Sequence, residues 1–164
     1  MDEEELIRLG ASSTLQIKTT LINNKHSYGS AIAWKEDTGH LIIATAYHVL
    51  KGAMAFKVLA PQLMSQLTDE DKDKFSIPSS NLEVYAEPTY DLVLLRLNLT
   101  DKQGYPWLSK VKPVTTACTS HDSKSGRAFG FPGFYEGLFS LYDPQVTLGR
   151  DDLSGNDLSR NYLK

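Results

Sequence analysis

The chain has 164 residues, 41% hydrophobic and 23% charged, with a net charge of −3. That composition is ordinary for a soluble globular protein, and the length suits one domain or two small half-domains sharing a cleft. The charge balance excludes a strong electrostatic footprint for nucleic acid, and no apolar run approaches the length of a membrane span.

The N-terminus, Met1-Asp2-Glu3-Glu4-Glu5, is acidic and carries no apolar segment, so it does not read as a signal peptide. Cys118 is the single cysteine, so no internal disulfide can form. Together these points favour a reducing, cytoplasmic setting. Residues 2–9 are expected as a short helix or an acidic arm, since carboxylates suit a helix N-terminus. Residues 14–22 are β-branched and alternate loosely, which predicts a strand. Asn23-Asn24-Lys25 marks a turn, and residues 27–34 form the next strand. This strand holds Gly29-Ser30-Ala31, small residues that let a neighbouring backbone approach closely. Asp37-Thr38-Gly39 then turns the chain into Leu41-Ile42-Ile43, an apolar run that reads as a buried strand and completes a hairpin.

That strand leads into Thr45-Ala46-Tyr47-His48-Val49. A histidine at the end of a buried strand is held rigidly and titrates near neutral pH, which is what a general base needs. A lone histidine is more often a core residue bonded to backbone, so its neighbours carry the argument. Residues 49–52 predict a helical turn closed by glycine, and residues 54–59 a strand. Residues 61–80 are polar, with Asp69-Glu70-Asp71-Lys72-Asp73-Lys74 at their centre, and read as an exposed, mobile insertion. A calcium loop is the alternative there. The glycine and spacing of an EF-hand are missing, and the interleaved lysines suit a solvated face.

Residues 82–86 form a short strand. Tyr90-Asp91 then opens Leu92-Val93-Leu94-Leu95-Arg96-Leu97, aliphatic apart from Arg96, which predicts a buried strand. An aspartate at its head is either a turn residue or an acid whose charge is bonded. Gly104 and Pro106 break the pattern over residues 99–110, where a connector is expected, with a second unit starting at Val111. Ser123-Lys124-Ser125-Gly126 reads as a turn. Arg127-Ala128-Phe129-Gly130-Phe131-Pro132-Gly133 reads as a strand and a glycine-rich corner. Residues 135–148 are strand-like around Asp143-Pro144, residues 150–157 a polar loop, and residues 158–164 one more strand. His26, His40 and His121 fall in or beside turns and read as exposed.

Thr-Ala-x-His-Val behind an apolar strand resembles the histidine motif of the trypsin-like serine peptidases. Asp-Leu-x-Leu-Leu-x-Leu from Asp91 resembles their aspartate motif, in the matching order. Gly29-Ser30-Ala31 matches the strand before the histidine, and residues 127–133 resemble a corner of the second barrel. The resemblance covers most of the chain, from residue 12 onward. It implies an all-β fold of two antiparallel Greek-key β-barrels, the second incomplete. Residues 1–11 are then an acidic arm or short helix, 12–110 the first barrel with its connector, and 111–164 a partial second barrel. His48 is implied as general base and acid, and Asp91 as the group that holds its tautomer and stabilises the imidazolium. The implied substrate is a peptide or protein, with no metal or organic cofactor.

The family's nucleophile sits in Gly-x-Ser-Gly, which also supplies the oxyanion donors, and that motif is absent. Ser154-Gly155 comes nearest, but Asp152 stands in place of the leading glycine, so Ser154 reads as a turn serine. Cys118 precedes the Gly130 corner, too early in the motif order, and reads as packing. Three readings stay open. The chain is the portion of a serine endopeptidase that carries the histidine and aspartate, or one part of a split protease completed by a chain or segment with the serine. Otherwise it is a non-catalytic, protease-like β-barrel interaction module. No nucleic-acid or membrane partner is expected.

Overall fold

The computed structural model describes residues 2–114, 125–132 and 144–147. The chain opens with helix α1 (Glu3–Ser13), capped by the Asp2 carboxylate, which accepts from the Glu5 amide at 2.8 Å. Glu3, Glu4 and Glu5 fill its first turn, at the positive end of the helix dipole. In its last turn Ser12 and Ser13 donate their hydroxyls back to the Leu9 carbonyl, at 2.9 and 3.1 Å.

Three strands follow as an antiparallel meander: β1 (Thr14–Leu21), β2 (His26–Asp37) and β3 (His40–Ala46). A single helical turn, α2 (Tyr47–Leu50), leads to β4 (Ala53–Leu59). Helix α3 (Asp69–Lys74), the short β5 (Ile77–Pro78), β6 (Glu83–Glu87) and β7 (Leu92–Asn98) complete this part. The strands make one seven-stranded antiparallel sheet in the order β5-β4-β1-β2-β3-β7-β6. After β3 the chain crosses to the far side of β1, then returns as the β6–β7 hairpin beside β3, a Greek-key path. Residues of β4 and β6, in the two outer parts of the sheet, line one cavity of about 250 Å³ together with Tyr47 and Leu50. The sheet is therefore curled into a half-barrel.

Burial alternates along β3 and β7. Leu41, Ile43 and Thr45 of β3 point inward, as do Val93, Leu95 and Leu97 of β7. The aliphatic run of β7 suggested burial on both faces, yet Leu92 at its head is exposed. Leu15, Ile17, Ile43, Val58, Leu95 and Leu97 meet in one core. Each such side chain contributes about 1.5–3 kcal/mol on burial.

Residues 61–80 differ from the expected free excursion. Helix α3 buries no residue fully and is capped by Thr68, whose hydroxyl accepts from the Asp71 amide at 3.1 Å. Its flanks, however, are anchored. Met64, Ser76 and Ile77 are buried, β5 pairs with β4, and the Trp107 Nε1 donates to the Phe75 carbonyl at 2.8 Å. Asp73 bonds both Lys18 and Lys57 at 3.3 Å. Partial burial pushes its carboxyl up, but the two lysines outweigh burial and hold it below the ordinary value. The anchors were invisible in the sequence because they are isolated residues without periodicity whose partners lie elsewhere in the chain.

The connector forms two 3₁₀ turns, Leu99–Gly104 and Pro106–Lys110, and buries Tyr105, Trp107 and Leu108 under the core. It closes the half-barrel as well as leading away from it. Residues 111–114 are not a strand; the Lys112 amide bonds the Ser12 carbonyl and the Val114 amide the Ala33 carbonyl, each at 2.9 Å. Beyond them, β8 (Ser125–Arg127) pairs antiparallel with β9 (Gln145–Thr147). Ser125 and Gly126 thus lie in a strand rather than a turn. Cys118, His121, Ser154 and the strand expected over residues 158–164 lie outside the described residues.

Candidate active site

Strand β3 carries the chain to the rim of the half-barrel, and His48 stands in the helical turn α2 just beyond the strand. Two contacts settle where that turn lies. The Thr45 hydroxyl donates to the Ser30 carbonyl at 2.8 Å, tying β3 to β2. Val49 packs onto Gly29, where a Cβ would come within 2.5 Å of the valine Cγ1. Only glycine allows α2 to sit so close to β2.

Asp91 closes the 3₁₀ turn Pro88–Tyr90 in the left-handed region, with φ 51° and ψ 41°. Aspartate tolerates that conformation better than most residues. The turn directs its carbonyl to the Tyr47 amide at 3.0 Å. Its carboxylate then meets His48 twice. Oδ2 lies 2.6 Å from the ring Nδ1, and Oδ1 accepts from the His48 backbone amide at 2.8 Å. An ionised carboxylate only accepts, so Nδ1 carries a proton, and in the neutral form of the ring Nε2 is the nitrogen with the free lone pair. The ring hydrogen bond, followed by the amide hydrogen bond, holds the Asp91 carboxyl below its ordinary value of 3.8. Both side chains stay open to solvent, at 60% for His48 and 52% for Asp91.

This arrangement gives an imidazole of defined tautomer and orientation, equipped to take and return a proton. Among the described residues no hydroxyl or thiol is bonded to His48. Nor does any cluster of three or more His, Cys, Asp and Glu side chains among them form a metal site. Sequence reasoning brought out both motifs but not the bonds from the amides of Tyr47 and His48 to Asp91. The signal for those was the Pro88-Thr89-Tyr90-Asp91 turn, whose last residue suits a left-handed cap. His40, expected as exposed, is half-buried, with an Arg96 Nη2 at 3.2 Å from its Nδ1. Arg96 also meets Glu83 at 3.4 Å, which accounts for the one charge in the β7 run.

The fold is that of the trypsin-like serine proteases, and solved structures of proteases share it. One is an HtrA-type protease, AlgW, with a tripeptide: 19% identity, TM-score 0.58, over 95% of this chain and 43% of that one. Another is Deg5: 25% identity, TM-score 0.50, over 92% of this chain and 67% of that one. The chain thus spans less than half the length of AlgW. No protein-family model and no curated protein matches it.

Proposed function

We propose that this chain is the histidine- and aspartate-bearing portion of a trypsin-like serine endopeptidase, acting on a peptide or protein in a reducing, cytoplasmic setting. The observation that supports it most is the two-point hold of Asp91 on His48, at 2.6 Å to the ring and 2.8 Å to the amide. In this reading the His48 Nε2 takes the proton of a serine hydroxyl as its oxygen attacks the scissile carbonyl carbon. The imidazolium then gives that proton to the leaving amine as the C–N bond breaks. Water repeats the cycle on the acyl-enzyme and returns the serine. Asp91 stays ionised throughout and stabilises the imidazolium. The serine and its oxyanion donors come from residues outside this sequence, which contains no Gly-x-Ser-Gly.

That same missing motif favours a second reading, a non-catalytic protease-like module. A peptidase assay with fluorophosphonate labelling separates the two. It is run on the 164-residue chain, and on a polypeptide or complex that adds a segment with Gly-x-Ser-Gly. The completed form should cleave and label, and His48→Ala within it should lower turnover on the order of 10⁴-fold or more. A folded, completed form that neither cleaves nor labels would establish the binding module instead.

A further inference from the structure

The proposed reaction draws on β3, α2 and the head of β7. It makes no use of α1, yet that helix touches both parts of the molecule. Near its C-terminus the Gln62 side-chain amide donates to the carbonyls of Ala11 and Thr14, at 2.6 and 2.7 Å, which locks the helix to the first half-barrel. At its other end Glu3 forms an ion pair with Arg127, the last residue of β8. In the C-terminal half of the helix, the Phe129 ring lies so close to Gly10 that a Cβ on that glycine would come within 2.2 Å of the ring's edge. Two residues on, the Phe131 amide donates to the Ser30 hydroxyl oxygen at 2.6 Å, and the Phe131 side chain is buried. A Cβ on Gly130 would come within 2.9 Å of that same oxygen. Ser30 in turn follows Gly29, the seat of Val49 beside His48.

We propose that α1 is a strut that fixes residues 127–131 against the first half-barrel. Glu3, Gly10 and Ser30 are positioning residues for the part of the active site that follows the segment. The docking stands on the contacts themselves. What it positions rests on the endopeptidase reading, because a nucleophile borne on the second barrel must arrive within hydrogen-bond reach of the His48 Nε2. A misplacement on the order of 1 Å there costs roughly 10²-fold in rate.

The sign of one substitution separates a strut from a merely structural helix. Gly10→Ala raises the intrinsic helix propensity of α1, so a helix with no docking role gains order. For a strut, the new methyl expels the Phe129 ring. The expected result is exchange of the amides at 127–131 accelerated by at least about tenfold, with those of β3 and β7 unchanged. Ser30→Ala, which removes the acceptor of the Phe131 amide, should act in the same direction without touching α1. Unchanged exchange at 127–131 in both variants overturns the strut. In the completed enzyme, Gly10→Ala should lower kcat with the His48–Asp91 proton resonance unmoved. Turnover equal to that of the parent overturns the positioning role. If no completed form cleaves at all, the endopeptidase reading fails, and the exchange data decide the strut alone.

Discussion

At Asp91 a positive φ of 51° turns the carboxylate back over α2, so that one side chain holds both the amide and the ring of His48. The pair therefore reports on itself through titration. A carboxyl held below 3.8 in the folded chain loses its proton more readily there than in the unfolded chain. The stability it adds is complete above about pH 4 and is lost as pH falls through the folded value. With both partners half-exposed, that contribution is small and screened by salt. Carbon-detected NMR should place the Asp91 midpoint below 3.8, and a midpoint at or above it would contradict the geometry. Asp91→Asn presents an amide that can donate to Nδ1, which favours the proton on Nε2 and removes the lone pair the reaction needs. Nitrogen shifts of His48 should show the tautomer change in this chain, and a completed enzyme should lose about 10⁴-fold in turnover.

The contacts that aim whole elements are made by small side chains. Helical turn α2 rests on β2 only because Gly29 leaves room for Val49. Gly29→Ala should cost about 1–3 kcal/mol through overpacking, and Val49→Ala in the same chain should recover part of that loss. A denaturant-unfolding double-mutant cycle measures the coupling, and strictly additive effects would show that the two residues do not touch. Residues 61–80 are tied down by Ile77, by the Trp107–Phe75 bond and by the Asp73 side chain of α3, which meets Lys18 and Lys57. Hydrogen exchange should be slow at residues 75–77 and fast along the exposed side of α3; uniformly fast exchange from 61 to 80 would overturn the anchoring. Trp107→Phe leaves the buried-side carbonyl of Phe75 without its donor and should cost about 1–3 kcal/mol.

Over the whole molecule, strands distant in sequence share one core, since β1, β3, β4 and β7 all send side chains into it. Leu95 on β7 is fully buried in it. Leu95→Ala should cost about 2–5 kcal/mol in thermal or denaturant unfolding, the upper part if the cavity cannot collapse. Loss of β7 from its place would also release Asp91 from His48, so severe core variants should lose the ring proton signal along with stability. The same dependence follows from the sheet order: β3 and β7 are neighbours, and among the described residues the bonds that hold the pair join α2 to the head of β7.

The amino-acid sequence by itself determined the strands of the half-barrel other than β5, and the two candidate residues. β-branched runs punctuated by turn residues impose a period of two wherever one face is buried, and Thr45 to Val49 and Asp91 to Leu97 stand at the ends of such runs. It also carried the Gly29-Ser30-Ala31 signal, although not what those residues touch. Three matters were decided only in the tertiary structure. The left-handed turn at Asp91 brings two carboxylate oxygens onto His48. The isolated apolar residues 64, 75 and 77 become anchors once a core exists to receive them. Helix α1, locally an acidic helix like many others, becomes a bridge when Arg127 and Phe129 meet it from more than a hundred residues away. Local propensity acts over a few residues and is legible in order along the chain. A contact between distant segments depends on the path of all the chain between them, and no short pattern encodes it.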